Sequence, residues 1–230
     1  MSHQTIEAPP RQEERLAMTY EEWLIWAEGN VQAEWVNGEG IKFVPPDPDH
    51  GDASGMLFAL LRMFVVLFDL GKVYHSPLEV RLETIPSSRE PDNLFIARAH
   101  LHRIGAKRIE GPVDVAIEFV SQDSVRRDRV EKLTEYEAAG IAEYWLFDAR
   151  RGREWSNFYR LNAEGRYDEV PLDAERRYHS AVIPGFWLRP EWLWQIPQPD
   201  PLDLIAAIAP DALRRKLVEM AELGFDAFDT

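Results

Sequence analysis

Apolar and polar positions alternate along the first part of the chain in a way that predicts a helix followed by a hairpin. MTYEEWLIWAEG (residues 18–29) is predicted to be a helix, because Thr19 as N-cap and Glu22 three residues later form a capping box. AEWVNGEGIKFV (residues 33–44) has the alternation of two short strands around Asn37-Gly38, a dipeptide typical of hairpin turns.

The middle of the chain contains a strongly apolar helix followed by strands. PPDPDHGD (residues 45–52) is predicted to be a loop, and residues 53–71 a helix that is apolar on most sides and therefore central. KVYHSPLEVRLE (residues 72–83) alternates as a strand. NLFIA (residues 93–97) and DVAIEFVS (residues 114–121) are predicted as further strands.

The pattern then returns to one helix and several strands. SVRRDRVEKLTEYEAAG (residues 124–140) is predicted as a helix that Gly140 ends, and EYWLFD (residues 143–148) as a strand. WSNFYRL (residues 155–161) and RYDEVPLD (residues 166–173) are expected to pair antiparallel. This succession predicts an α/β fold with a mixed β-sheet flanked by helices.

Local composition divides the chain into three parts. Residues 1–17 are polar and are expected to be a flexible tail, and residues 18–194 contain the core elements. Residues 195–230 begin with a proline-rich linker and end in an amphipathic helix, PDALRRKLVEMAELG, so we expect a C-terminal helical extension.

Composition narrows the class of protein. The chain has 230 residues, 45% of them hydrophobic and 11% aromatic, which is enough for one sizeable core. The absence of cysteine excludes disulfides, thiolate zinc sites and cysteine nucleophiles. We find no apolar run of membrane-spanning length and no signal-peptide pattern, so we expect a soluble, cytoplasmic protein that does not contact a membrane.

Charge constrains the partners. The net charge of −14, from 26 basic and 40 acidic residues, argues against indiscriminate nucleic-acid binding. An enzyme acting on nucleic acid would need a local basic patch. The densest candidate contains Arg126, Arg127 and Arg129, and residues 98–108 form a second.

Two carboxylates near predicted strands are candidate metal ligands. Glu118 lies inside the apolar run VDVAIEFV, where a carboxylate is rare unless it is paired or holds a metal. Asp92 precedes the strand NLFIA. If the two strands are neighbours, both carboxylates can converge as hard oxygen ligands for Mg²⁺ or Mn²⁺. Lys132, one turn after Asp128, could then orient water, which completes the parts for phosphodiester hydrolysis.

Each candidate also has an ordinary structural interpretation. Glu118 could be salt-bridged on a partly exposed face, and Asp92 could be a turn residue. Asp128 and Lys132 could be a helix-surface pair contributing only about 0.3–0.5 kcal/mol. The arginines near position 127 could be a solvated helix face.

Several segments together resemble the PD-(D/E)XK nuclease superfamily and, within it, the bacterial Uma-two family of restriction-endonuclease-like proteins. The resemblance extends over roughly residues 18–193 and is most specific between residues 118 and 148. The segments that carry it are MTYEEWL, AEWVNGE, PDPDH, EPDNLFIA, VDVAIEFVS, RRDRVEKLTEYEAAGIAEYWLFD and VIPGFWL.

The resemblance implies a restriction-endonuclease-like fold and metal-dependent cleavage of nucleic acid. Asp92 in EPD matches the first metal carboxylate of the family and Glu118 in IEFVS the second. Glu34 in AEWVNGE matches an acidic residue that precedes them, and His50 in PDPDH matches a loop histidine. A strict E-x-K motif would have lysine at position 120, where this chain has valine. Lys132 in RVEKL matches a lysine moved to the following helix.

Three functional hypotheses follow. The first is an endonuclease that uses Mg²⁺ or Mn²⁺ at Asp92 and Glu118, with Glu34, to hydrolyse DNA, with the arginines and His50 contacting substrate and Lys132 assisting. The second is a catalytically silent nuclease-fold module that acts through protein contacts, in which the carboxylates would point apart or be paired with arginines. The third is a metal-dependent hydrolase of a smaller phosphoester. A homodimer is an expectation drawn from other nucleases of this fold.

Overall fold

The fold contains two six-stranded β-sheets and helices that pack against them, which confirms the predicted α/β class. The computed structural model describes residues 14–28, 33–42, 48–82, 84–121, 124 and 126–223. The predicted mixed sheet is thus divided into two sheets, and each contains both parallel and antiparallel pairs.

Regular elements occur in this order along the described residues. The helices are α1 (Tyr20–Ala27), α2 (Pro48–Leu67), α3 (Leu133–Ala139), α4 (Pro201–Ile208) and α5 (Pro210–Leu223), with a π-helix (Arg127–Lys132) and two 3-10 helices (Arg98–Arg103 and Pro190–Leu193). The strands are β1 (Glu14–Ala17), β2 (Ala33–Val36), β3 (Glu39–Lys42), β4 (Gly71–His75), β5 (Val80–Leu82), β6 (Ser87–Arg89), β7 (Asn93–Ala97), β8 (Ile109–Glu110), β9 (Val115–Phe119), β10 (Glu143–Asp148), β11 (Trp155–Leu161), β12 (Tyr167–Glu169), β13 (Tyr178–His179) and β14 (Trp187–Leu188).

The first sheet has the strand order β1-β3-β2-β6-β5-β8 and contains the predicted hairpin. Asn37 and Gly38 both adopt positive φ angles, 49° and 87°, as the turn between β2 and β3 requires. The capping box at Thr19 and Glu22 is also present. Residues 14–17, which the sequence predicted as tail, pair with β3, and residues 1–13 lie outside the described residues.

The second sheet, in the order β12-β11-β10-β9-β7-β4, carries the candidate site. β9 pairs parallel to β10 and antiparallel to β7, with Asn93 opposite Ile117. Asp92 immediately precedes Asn93 and Glu118 immediately follows Ile117, so the two carboxylates lie at the same end of neighbouring strands. The expectation that these two strands are neighbours is therefore confirmed.

Helix α2 begins earlier than predicted, at Pro48, so the histidine predicted in a loop lies in a helix. Proline is favoured at a helix start, and Asp49 in the first turn complements the positive end of the helix dipole. Leu57, Leu60 and Leu61 are fully buried against the second sheet. The helix has the length and composition of a membrane span, but here it belongs to the core.

The segment predicted as one strand over residues 72–83 forms two strands in different sheets. β4 belongs to the second sheet and β5 to the first. Pro77 lies between them and has no N–H to donate to a ladder, which explains why a single strand does not continue through it.

The predicted linker near residue 200 contains a helix of its own. Asp200 caps α4 by accepting a hydrogen bond from the Leu202 N–H at 2.7 Å. Leu204 and Ile205 are buried in the core cluster beneath α2. Part of the C-terminal extension is therefore integrated with the main core.

Candidate active site

Asp92 lies at the edge of the second sheet, held by a backbone donor and a histidine. Its Oδ2 accepts a hydrogen bond from the Phe119 N–H at 2.7 Å, and His50 Nε2 lies 3.2 Å from Oδ1. Burial would raise the pKa of this carboxyl, but His50, Lys132 and the Phe119 N–H outweigh burial and lower it. Asp92 is therefore ionised at neutral pH.

Glu118 is almost fully enclosed, with 3% of its surface exposed. Its Oε1 lies 2.8 Å from Lys132 Nζ and accepts a hydrogen bond from the Tyr136 hydroxyl at 2.8 Å. Burial, followed by the negative charges of Asp92 and other nearby acids, raises its pKa well above the ordinary value, although Lys132 acts in the opposite direction. An additional cation would reduce the electrostatic repulsion between Glu118 and these nearby acids.

Lys132 is the centre of the cluster and is buried, so its interpretation as a solvated surface residue was wrong. It ends the π-helix, and its Nζ also lies 3.3 Å from Glu34 Oε1 and 3.5 Å from Asp128 Oδ1. Burial would lower its pKa, but Glu118, Glu34 and Asp128 more than compensate and raise it. The lysine therefore carries a positive charge among three carboxylates.

Glu34 is tied into an ion network that the sequence did not reveal. Arg89 is fully buried and lies 2.7 Å from Glu34 Oε2, while the Glu90 N–H donates to Oε1 at 3.1 Å. Arg89 also makes two hydrogen bonds to Glu135, at 2.9 and 2.7 Å. Both oxygens of Glu34 thus have donors, and its Oε1 also lies 3.3 Å from Lys132 Nζ.

Glu90 adds a further buried carboxyl beside Glu34. Burial, together with the charges of Glu34 and Glu79, raises the pKa of Glu90 to about 8. Its Oε2 is buried and makes no hydrogen bond within the described residues. Glu90 is the glutamate of EPD, two residues before Asp92, but no local pattern distinguishes it from an exposed glutamate.

Asp114, the other carboxylate in the same apolar run as Glu118, has a structural role. Its Oδ2 accepts from the Ala97 N–H at 2.7 Å, and its Oδ1 lies 2.6 Å from His100 Nδ1. These contacts hold the start of the 3-10 helix Arg98–Arg103 and do not involve Lys132 or Asp92. Both acids are therefore buried, but Asp114 lies one residue before β9 and contacts different groups from Glu118.

The basic patch has both exposed and buried members. Arg126 and Arg129 are exposed, and the Arg129 guanidinium stacks 3.9 Å from the ring centroid of Trp155. Arg127 is mostly buried, and its Nε lies 3.7 Å from Asp128 Oδ1. Burial lowers the pKa of the Arg127 guanidinium. Only Arg126 and Arg129 therefore present charge to a polyanion from this helix.

Asp92 and Glu118 are the candidate carboxylates for a divalent metal ion. Within the described residues, no group of three or more acidic or histidine side chains is arranged to hold a metal ion. Mg²⁺, however, is commonly bound through one or two carboxylates, with water and substrate phosphates completing its shell. Asp92 and Glu118 would supply two such carboxylates, and both oxygens of Asp92, like those of Glu34, already have partners within the protein.

The fold and the carboxylate–lysine cluster define a protein with a nuclease-like α/β fold. A crystal structure titled as a putative nuclease belonging to DUF820 from Anabaena variabilis ATCC 29413 is similar, with a TM-score of 0.57 and 15% sequence identity. The similarity covers 70% of this chain and 89% of that one, and at this identity it shows the fold alone.

The family is shown by the sequence itself. The Uma2 family model, described as "Putative restriction endonuclease", matches residues 18–191, and the chain belongs to this family. Comparison with curated proteins found no match. The predicted family is confirmed, and the family and fold together support a nuclease.

Proposed function

We propose that this protein is an endonuclease that requires a divalent metal ion and hydrolyses phosphodiester bonds in DNA. The observation that carries the proposal is the 2.8 Å contact between Lys132 Nζ and Glu118 Oε1, on a strand that pairs with the strand directly after Asp92. Two carboxylates and a charged lysine at one sheet edge are the groups that this hydrolysis requires.

The residues of the site have distinct roles in this proposal. Asp92 and Glu118 would hold Mg²⁺ or Mn²⁺, which when bound would polarise the phosphate and make water a stronger nucleophile at neutral pH. Lys132 would orient the attacking water and stabilise negative charge developing on the phosphoryl oxygens. Glu34 would position Lys132, and Tyr136 would position Glu118, since each contacts its partner directly.

DNA is the substrate proposed because the family is described in terms of restriction endonucleases. Exposed Arg126 and Arg129 lie on the same helical segment as Lys132 and would contact phosphates there. A net charge of −14 would repel nucleic acid elsewhere on the surface and so favour this one approach. We place this activity in the cytoplasm, without membrane contact.

A plasmid-nicking assay tests the proposal. Supercoiled DNA would be incubated with the wild type, Glu118→Gln and Asp114→Asn, with Mg²⁺, Mn²⁺ or EDTA. We expect metal-dependent nicking by the wild type and by Asp114→Asn, and none by Glu118→Gln. Nicking that persists in a folded Glu118→Gln variant would refute the proposed site. A folded wild type that nicks neither plasmid nor single-stranded DNA with either metal would refute the proposed activity.

A second candidate is a nuclease-fold module that binds without cleaving. The pairing of Glu34 with the buried Arg89 favours it, because this acid is neutralised by the protein itself. A silent module would bind partners but leave DNA intact under all metal conditions. The same assay, combined with a DNA-binding measurement, separates the two functions.

A further inference from the structure

A hollow opens beside Asp92, between α2 and the ends of β4 and β7. Its volume is about 260 Å³, and Asp92 and His50 form part of its wall. The wall also includes Gly51, Gly55, Phe58, His75 and Asn93. Pockets for drug-sized ligands usually measure about 300–1,000 Å³, so this hollow suits a single small ring system.

Two glycines of α2 keep the hollow open. Gly51 and Gly55 lie about one turn apart, and a Cβ at either position would meet no atom of the described residues within 4 Å beyond the backbone of its own helix. Glycine weakens a helix interior relative to alanine, and no close contact requires it at these positions. The two glycines therefore leave room beside the candidate active site that larger residues would fill.

Two aromatic rings in the wall can bind a flat occupant. The rings of Phe58 and His75 have centroids 4.8 Å apart and are nearly perpendicular, at 76°. His75 Nδ1 lies 2.6 Å from the carbonyl oxygen of Ser76, which can only accept, so Nδ1 carries the proton and donates it. This bond holds the imidazole ring in place. Aromatic side chains of this kind bind nucleobases by stacking, whatever the base, because every base has a π-face.

Asn93 adds a buried acceptor to the wall of the hollow. Asn93 is fully buried, and its Nδ2 donates to the Ser54 carbonyl oxygen at 3.1 Å and to Ser54 Oγ at 3.0 Å. Because that carbonyl can only accept, the Asn93 amide is oriented with Nδ2 toward Ser54. Its Oδ1 makes no hydrogen bond within the described residues. A buried acceptor without a donor costs free energy, so an occupant that brings an N–H donor is favoured.

We propose that this hollow receives one unpaired nucleobase of the substrate strand, from a nucleotide next to the phosphate that is cleaved. The inference rests on the proposed nuclease function, because it takes Asp92 as the position of that phosphate. The base stacks against Phe58 and His75, and an N–H of its Watson–Crick edge donates to Asn93 Oδ1. That edge is free only when the base is unpaired, so the site favours single-stranded or locally opened DNA.

Cleavage of oligonucleotides that lack one base tests the proposal. The position cut in a single strand with Mn²⁺ would be mapped, and the nucleotide on each side would be replaced in turn by an abasic residue. We expect loss of one of these two bases to lower kcat/KM at that phosphate about tenfold, whereas an abasic residue farther away should have no effect. Unchanged cleavage with both replacements would overturn the inference, as would a wild type that cuts duplex DNA but no single strand.

Gly55→Leu fills the hollow from α2 without altering Asp92, Glu118 or Lys132. Leucine is a better helix former than glycine, so the variant should fold. We expect kcat/KM to fall about tenfold on the intact strand and no further on the abasic strand, since both changes remove the same contact. Val66→Leu, at a position of α2 that is 68% exposed, is the control and should match the wild type on both strands. An abasic penalty that persists undiminished in Gly55→Leu would place the base elsewhere.

A binding measurement separates this inference from the proposed function. Fluorescence anisotropy with Ca²⁺ in place of Mg²⁺ would compare labelled oligothymidylate with a fully abasic strand of the same length. We expect the wild type to bind the strand with bases at least about tenfold more tightly, and Gly55→Leu to show a smaller difference. Equal affinity for both strands, or binding of neither, would overturn the inference even if the protein cleaves DNA. Base-dependent binding that Gly55→Leu weakens, in a wild type that cleaves nothing, would refute the nuclease function and support the base pocket.

Discussion

Lys132 Nζ lies 2.8 Å from Glu118 Oε1, although the glutamate is inside a strand and the lysine ends a π-helix. Position 120, where a strict E-x-K motif has its lysine, is occupied by Val120, which is 1% exposed and packs in an apolar cluster. The helix thus supplies the charge that the strand lacks. π-Helical turns occur frequently at functional sites, and this one buries both Asp128 and Lys132.

Lys132→Gln should affect both cleavage and stability. It removes the only charge partner that Glu118 is seen to have among the described residues, and leaves nearby carboxylates repelling one another. We expect nicking to fall at least about 100-fold and the free energy of unfolding to fall by about 3–5 kcal/mol. Nicking and urea denaturation at pH 7 measure the two effects, with the exposed Lys216→Gln as control. Full cleavage by Lys132→Gln would contradict the role of the lysine.

Asp92→Asn should weaken metal binding without disturbing the sheet. The amide can still accept the Phe119 N–H, but it lacks the negative charge that a divalent ion requires. We expect at least about tenfold weaker Mn²⁺ binding by calorimetry. Asp114→Asn should bind Mn²⁺ like the wild type, because Asp114 is bonded to His100 and Ala97 instead. Equal loss in both variants would mean that the metal binds elsewhere.

Arg89→Met should destabilise the fold strongly. Arg89 is fully buried and pairs with both Glu34 and Glu135, so its loss would remove a cationic partner from each of the two acids. We expect the free energy of unfolding to fall by about 3–5 kcal/mol. Arg98→Met is the control, because the exposed Arg98–Asp69 pair should contribute less than about 1 kcal/mol. Similar urea midpoints for the two variants would show that the buried network contributes little.

Arg126→Gln should reduce the salt dependence of DNA binding. Arg126 is exposed next to the site, so it can contact one phosphate without a role in folding. We expect the slope of log affinity against log salt concentration to decrease by about one. Fluorescence anisotropy with a labelled duplex measures this slope, and Arg215→Gln on α5 should leave it unchanged. An unchanged slope for Arg126→Gln would exclude this arginine from the interface.

Asp148→Asn should alter stability in a pH-dependent way. Asp148 is buried and bonded to Arg150 at 2.8 Å and to the Trp155 indole at 3.1 Å. Burial alone would raise its pKa, but these donors lower it. The unfolded chain therefore takes up this proton first as pH falls, so the stability from Asp148 is present above pH of about 4 and is lost below it.

The measurement is urea denaturation of both proteins between pH 2 and 7. The wild type should be more stable than Asp148→Asn by about 1–3 kcal/mol at pH 6, and the difference should shrink toward pH 2. A difference that stays constant with pH would show that the ionised carboxylate is not what stabilises this strand end.

Local signals in the sequence determined most of the elements. The capping box at Thr19, the Asn37-Gly38 turn and the positive-φ Gly140 that ends α3 depend on neighbouring residues and were predicted correctly. The positions of Asp92 and Glu118 on neighbouring strands also followed from pattern and resemblance. Helix α2 was misjudged at its start, because proline and aspartate are common both in loops and in first helical turns.

Tertiary structure alone decided how the acids and bases of the site are paired. Arg89 and Glu34 are 55 residues apart, and nothing near either of them in sequence marks a buried ion pair. Lys132 has the same four-residue spacing to Asp128 as any surface pair, yet both are buried beneath the sheet edge. Spacing along a chain determines which residues share a helix face. Only strand pairing and packing determine whether that face meets water or other charges, and hence what the charges can do.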